Sequence, residues 1–167
     1  VGSEVVVTAR PEDIERASAV ILPGVGAFGD GMASLRQQGL ADALRRNAID
    51  GKKPLIGICL GMQLLAEEGE EHGNHKGLGL VPSRVVRLRP TGPKFRVPNM
   101  GWCDVTFSGS RGILFDGLRD GESFYFAHSY HLQCSDQADV AATIEYGGSC
   151  LTAAIQRENI FGVQFHP

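Results

Sequence analysis

Gly57-Ile58-Cys59-Leu60-Gly61 sets one thiol between two glycines, each two residues away. The apolar run Pro54-Leu55-Ile56-Gly57-Ile58 leads into it, and a helical pattern from Gly61 to Glu71 leads out. That context gives a nucleophile elbow its meaning, a strand-to-helix turn sharp enough to lift the reacting side chain clear of the backbone. The glycines relieve the crowding such a turn creates. A helix starting at Leu60 aims its first amides at the sulfur, which favours thiolate, and the Leu60 N–H is placed to donate to an oxyanion. The ordinary alternative is a buried structural cysteine, since free cysteine is among the most buried residue types.

A cysteine nucleophile needs a base, and the chain holds His72, His75, His128, His131 and His166. His166 follows the apolar run Ile160-Phe161-Gly162-Val163-Gln164-Phe165 and so sits at a strand end, as Cys59 does. Carboxyl ends of parallel strands share one sheet edge, where ligands bind, which makes His166 the candidate base. His72 and His75, among Glu70, Glu71, Gly73 and Asn74, read as a solvated loop rather than a metal site. A second oxyanion donor is available in Pro23-Gly24-Val25-Gly26, after the run Ala19-Val20-Ile21-Leu22. No Gly-Lys-Ser/Thr follows those glycines, which argues against a phosphate-cradling loop.

The elements that must position these groups alternate between short β-branched runs and helical patterns, the signature of βαβ units. Glu4 to Thr8 reads as a strand, Pro11 as a first helical residue before Glu12 and Asp13, and Ala19 to Leu22 as a second strand. Helices are expected through Met32 to Arg36 and from Leu40 to Ile49, where Leu40, Leu44 and Ala48 share a face. Further strands are expected at 85–88, 102–107, 123–127, 140–145, 150–156 and 160–165, with Gly147-Gly148 marking a hairpin. The fold class is α/β: a three-layer, flavodoxin-like arrangement with a largely parallel central sheet, flanking helices and an antiparallel addition.

Composition narrows the function classes. A chain of 167 residues suits one domain with one core. Net charge of -3 offers no basic face for nucleic acid. No signal peptide is visible at the start Val1-Gly2-Ser3-Glu4, and no apolar run approaches the ~20 residues that span a bilayer. Cys59, Cys103, Cys134 and Cys150 lack paired CxxC spacing, so a reducing, cytoplasmic setting without a disulfide framework or zinc ribbon is expected. No cofactor is expected.

Five separated segments together resemble one family. Residues 57–63 (Gly-Ile-Cys-Leu-Gly-Met-Gln) and 162–167 (Gly-Val-Gln-Phe-His-Pro) look like the nucleophile and histidine motifs of class I, or triad, glutamine amidotransferases. Residues 22–29, 97–102 (Val-Pro-Asn-Met-Gly-Trp) and 125–130 (Tyr-Phe-Ala-His-Ser-Tyr) are similar to the branch that serves imidazole glycerol phosphate synthase. The resemblance implies a glutaminase that uses Cys59 as nucleophile and His166 as its acid/base partner. It implies an oxyanion hole from Val25, Gly26 and Leu60, and a glutamine site from Gln63, Glu71, Ser129 and Tyr130. It further implies ammonia transfer to a β/α-barrel cyclase that forms imidazole glycerol phosphate and AICAR in histidine biosynthesis. The stretch containing Pro98, Asn99, Met100 and Trp102 reads as a partner-facing loop, since Met and Trp are enriched at interfaces. Core packing is the alternative for Trp102, and Cys103 reads as a tolerated change beside that loop.

Two departures from the family pattern stand out. The family continues past His-Pro with a glutamate that orients the histidine, and it opens with a further strand and helix. The expectation is therefore a fragment of one amidotransferase domain, 1–167, shortened at both ends. Two other readings stay open: an inactive scaffold that only docks the synthase partner, or another cysteine γ-glutamyl hydrolase on the same fold.

Overall fold

A computed structural model describes residues 4–108 and 113–166. Val1, Gly2, Ser3 and Pro167, which figure in the readings of the two ends, lie outside the described residues. The apolar run around Ile21 forms β1 (Val20–Gly24), and the run before the thiol forms β2 (Leu55–Cys59). They pair in parallel with Gly24 opposite Cys59. On the other side of β2 lies β11 (Ile160–Val163), also parallel, with Val163 opposite Ile58. The carboxyl ends of all three strands therefore finish at one edge.

Beyond β11 the sheet continues through β10 (Ser149–Arg157), β9 (Val140–Tyr146), β6 (Asn99–Phe107) and β7 (Glu122–His128), each antiparallel to its neighbour. Four of the six pairings in this seven-stranded sheet are thus antiparallel, so the antiparallel addition outweighs the parallel block and the sheet is mixed rather than largely parallel. The β9–β10 hairpin turns on Gly147 and Gly148, whose φ values of 59° and 79° are the left-handed pair a tight primed turn requires. A second sheet is ordered β4 (His75–Lys76), β3 (Glu68–Gly69), β5 (Ser83–Arg87), β8 (Tyr130–Cys134).

The helices are α1 (Pro11–Arg16), α2 (Phe28–Gln37), α3 (Leu40–Ile49) and α4 (Leu60–Leu64). All four feed one core, in which Phe28, Met32, Leu44 and Met62 are essentially solvent-free and Val20 and Leu22 of β1 pack against it. Ile21, on the opposite face of β1 by strand alternation, is 64% exposed. A second, aromatic core forms around Phe107, Phe115, Phe126 and Phe165, where the Phe124 and Phe165 rings stack at 4.2 Å.

Three further sequence expectations need correction. Residues 4–8 form no strand: Val5, Val6 and Val7 are 81%, 62% and 98% exposed. A β-run is stable only when a neighbour takes its backbone hydrogen bonds, and among the described residues none does so here. The helix expected from Gly61 to Glu71 stops at Leu64 because the returning chain captures its last carbonyls. Leu64 O accepts from the Leu78 amide, and Leu65 O from the amides of Leu80 and Val81. Glu68-Gly69 is then free to pair with β4 and β5. The segment from Asn99 to Trp102 is the start of β6 rather than a loop, and β8 was absent from the sequence reading.

Candidate active site

The turn after β2 has the strain that an elbow demands. Cys59 has φ 56° and ψ −114°, a left-handed backbone that a side chain tolerates only where packing fixes it. The flanking glycines are fixed by contact rather than by torsion. A Cβ on Gly57 would lie 2.5 Å from the Gly61 carbonyl oxygen, and one on Gly61 would lie 1.8 Å from that of Leu22. Strand, turn and helix close on one another only because both positions carry hydrogen.

Cys59 opens into a cleft of about 330 Å³ lined by Val25, Gly26, Leu60, Gln63, Glu71, Pro98, Met100, Ala127, His128, Ser129, Tyr130 and His166. The cleft thus brings together Cys59, His166, the glycine turn after β1 and every glutamine-site candidate from the sequence. A larger cavity of about 600 Å³ lies elsewhere, against Arg87, Arg89, His131 and Cys150. It contains neither Cys59 nor His166, which both line the smaller cleft.

The thiol is less activated than its helix terminus suggests. Burial pushes the Cys59 pKa up, while the Leu60 backbone N–H and the Gln164 side chain pull it down. At 9% exposure the missing water outweighs those two donors. Proton removal by a neighbouring base therefore matters here. His128 cannot serve easily. Its Nδ1 lies 2.9 Å from the Tyr130 carbonyl, which can only accept, so Nδ1 carries the proton and Nε2 accepts from Asn99 Nδ2 at 3.2 Å. Burial lowers its pKa to about 4, with the neighbouring His131 adding to the fall and the Tyr130 carbonyl opposing it. His166 also lines the cleft, and its backbone N–H bonds the Tyr125 carbonyl at 3.0 Å, tying the end of the β11 segment to β7.

His128 also gives a stability prediction. Its folded pKa, about 4, lies below the ordinary 6.5, so the unfolded chain takes up the proton first as pH falls. Stability from this group is complete above pH 6.5 and is lost on the way down to pH 4, in total roughly 3 kcal/mol. Urea unfolding at pH 7.5 and pH 4 is expected to show this loss, and His128→Phe to shrink it. Equal acid sensitivity in the variant contradicts the assignment.

The remaining candidates divide. Glu71 Oε2 accepts from the Phe28 N–H at 2.8 Å, so one carboxylate oxygen already caps α2. Gln63 is 5% exposed, with its Nε2 bonded to the Tyr130 carbonyl at 3.0 Å and to Gln164 Oε1 at 2.9 Å. Met100 and Trp102 are 65% and 72% exposed, which settles Trp102 against core packing. Asn99 departs from the partner-facing expectation. Strand alternation turns it inward, 2% exposed, where it meets His128 and the Cys103 thiol. Gln164 was missed as a site residue although it stands inside the histidine motif. Its signal was a polar residue between Val163 and Phe165 in an otherwise apolar run, and it is fully buried. Among the described residues no cluster suited to a metal ion occurs, all four cysteines are free, and no helix is long and apolar enough to cross a membrane.

Strained cysteine elbow, glycine turn and histidine at one edge of a mixed sheet define a class of protein, and comparison agrees. The chain belongs to the class I glutamine amidotransferase family, whose model matches residues 3–167. Within that family it groups with the HisH subunits of imidazole glycerol phosphate synthase. The HisH subunit of Moorella thermoacetica is 51% identical over 166 residues, covering 99% of this chain and 76% of that one. The Rhodospirillum rubrum HisH subunit is 44% identical over 168 residues, covering all of this chain and 78% of its own. Among solved structures, one described as a glutamine amidotransferase superposes with a TM-score of 0.73 at 21% identity, covering 99% of this chain and 78% of that chain, a likeness of fold.

Proposed function

We propose that the chain hydrolyses L-glutamine to glutamate and ammonia and delivers the ammonia to a HisF-like β/α-barrel cyclase. That partner would form imidazole glycerol phosphate and AICAR in cytoplasmic histidine biosynthesis. The observation that carries the glutaminase reading is the shared cleft of Cys59 and His166 beside the Val25-Gly26 turn and the Leu60 amide. In this reading His166 takes the Cys59 proton and the thiolate attacks the carbonyl carbon of the glutamine side-chain amide. The carbonyl π electrons move to oxygen, and backbone N–H groups of Val25, Gly26 and Leu60 receive that oxyanion. As the C–O double bond re-forms, the C–N bond breaks; His166 returns the proton to nitrogen and ammonia leaves. The γ-glutamyl thioester on Cys59 is then attacked by water, which gives its proton to His166, and glutamate departs as the sulfur recovers its electron pair.

Substrate recognition follows from the same cleft. Glu71 is the anion suited to the α-ammonium of glutamine, while Gln63, Ser129 and Tyr130 line the wall beside it. The partner role of Pro98, Met100 and Trp102 rests on their exposure, and Trp102 is braced edge-on by Tyr125 with ring centroids 5.8 Å apart. Met100 lines the cleft and Trp102 lies two residues further along the same exposed face of β6, and two exposed apolar side chains so placed suit a covered surface better than a wet one. Ammonia is a nucleophile only while unprotonated, which gives a partner sealing this mouth a chemical purpose.

The test is glutamate release from glutamine, measured for this chain alone and with the barrel cyclase added. Turnover is expected with the cyclase, together with ammonia-dependent product formation. Absence of glutamate under both conditions would overturn the reading.

A further inference from the structure

The cleft's polar wall carries a chain of forced orientations that ends at the nucleophile. It begins at the Tyr130 main-chain carbonyl, which has no donor and cannot rotate. Gln63 must therefore turn its Nε2 toward Tyr130, at 3.0 Å. The second hydrogen on that same nitrogen meets Gln164 Oε1 at 2.9 Å, so Gln164 must present oxygen on this side. Its Nε2 is left facing the Cys59 sulfur at 3.8 Å, within reach for a hydrogen bond to sulfur. An amide can ordinarily flip by half a turn at little cost, but here the fixed carbonyl decides two flips in succession.

We propose that Gln164 is a positioning residue for Cys59: its NH2 holds the sulfur in place and favours thiolate, with its polarity set through Gln63 by the Tyr130 carbonyl. The proposal rests on the reading of Cys59 as the nucleophile. Three further observations support it. Gln164 is fully buried, and a buried amide is retained only where its donors and acceptors are used. The strand register carries it there: Val163 lies opposite Ile58, so the next residue falls level with Cys59. Its own N–H bonds the Ala153 carbonyl at 2.8 Å, which fixes the backbone beneath the side chain. Burial raises the thiol, and among the described residues the Leu60 amide and Gln164 oppose it. Gln63 acquires a second task as well. Both of its amide hydrogens are engaged, so only Oε1 remains for substrate.

The test reads thiolate formation directly, without glutamine turnover. Alkylation of Cys59 by iodoacetamide is followed against pH by peptide-resolved mass spectrometry, with exposed Cys150 as the internal reference. Gln164→Leu removes the donor, and Gln164→Glu replaces it with an acceptor of the same shape. Both are expected to raise the Cys59 midpoint by about one pH unit and to slow alkylation below it about tenfold, with Cys150 unchanged. Gln63→Leu, which leaves Gln164 free to flip, is expected to move the midpoint in the same direction by less. A midpoint unmoved in a folded Gln164 variant overturns the proposal. If neither Gln164 variant folds, the wild-type chain decides: the Gln164 side-chain NH2 signals in a nitrogen-15 NMR titration shift as Cys59 ionises, and signals that stay fixed through that transition overturn it. Loss of glutaminase by Cys59→Ala is a separate result, so failure of this proposal and failure of the nucleophile assignment are distinguishable.

Discussion

Cys59→Ala is expected to reduce glutamine-dependent synthesis by about 10³-fold or more, the loss typical when a covalent nucleophile is removed. Synthesis from added ammonium, with the barrel cyclase present, is expected to continue at the wild-type rate. The two outcomes separate because ammonia made externally bypasses the thioester and needs only the partner's chemistry. Structural damage is a poor explanation for such a result at this position. Alanine keeps the Cβ, and the site borders an open cleft rather than a sealed core. Relief of the left-handed backbone is unavailable to alanine too, so the elbow keeps its strain without its purpose. Loss of both activities together, or of neither, contradicts the role given to Cys59.

Gly61→Ala carries the second large effect, and two physical effects oppose each other there. Helix propensity favours alanine over glycine by about 1 kcal/mol, which by itself predicts a more stable protein. Contact predicts the reverse. The new methyl would lie 1.8 Å from the Leu22 carbonyl oxygen and 2.8 Å from its carbon. Both are backbone atoms of β1, the strand whose end supplies the Val25-Gly26 turn, so no side chain can swing aside. Contact wins: α4 and β1 must separate, at a cost of about 3 kcal/mol, equivalent to a fall of about 6 to 12 °C in melting temperature. Because the same separation moves the Leu60 amide away from the turn after β1, kcat is expected to fall about a hundredfold even where the fold survives. A thermal melt and a glutaminase assay on the purified variant check both limbs. An unchanged or raised Tm contradicts the close packing of helix on strand.

Much of the site was legible because its chemistry is written in short segments. The thiol between glycines, the histidine after an apolar run and the glycine turn each announce a strand end, and strand ends of a parallel block meet at one edge. The register confirms the geometry of that inference, with Gly24 opposite Cys59 and Val163 opposite Ile58. Helix α3 was equally readable, since Leu40, Leu44 and Ala48 mark its buried face and all three are buried. Residues 4–8 misled because β-branched composition states a preference for extended backbone and cannot supply the neighbour that makes a strand. The 61–71 segment misled for a related reason: its apolar spacing suits a helix, but the chain returning through Leu78 and Leu80 takes the carbonyls a longer helix would need.

By itself the sequence singled out a candidate nucleophile, a candidate base, the glycine turn beside them and the family that these segments resemble, because each is written in residues adjacent along the chain. Only the tertiary structure decided what surrounds them. It turned Asn99 inward against His128 while leaving Met100 and Trp102 in solvent, since strand pleat and not composition assigns the faces. It also joined Tyr130, Gln63, Gln164 and Cys59 across 105 residues of sequence. Hydrogen-bond direction depends on which atoms meet in space, and that meeting is fixed by packing between strands that no local pattern records.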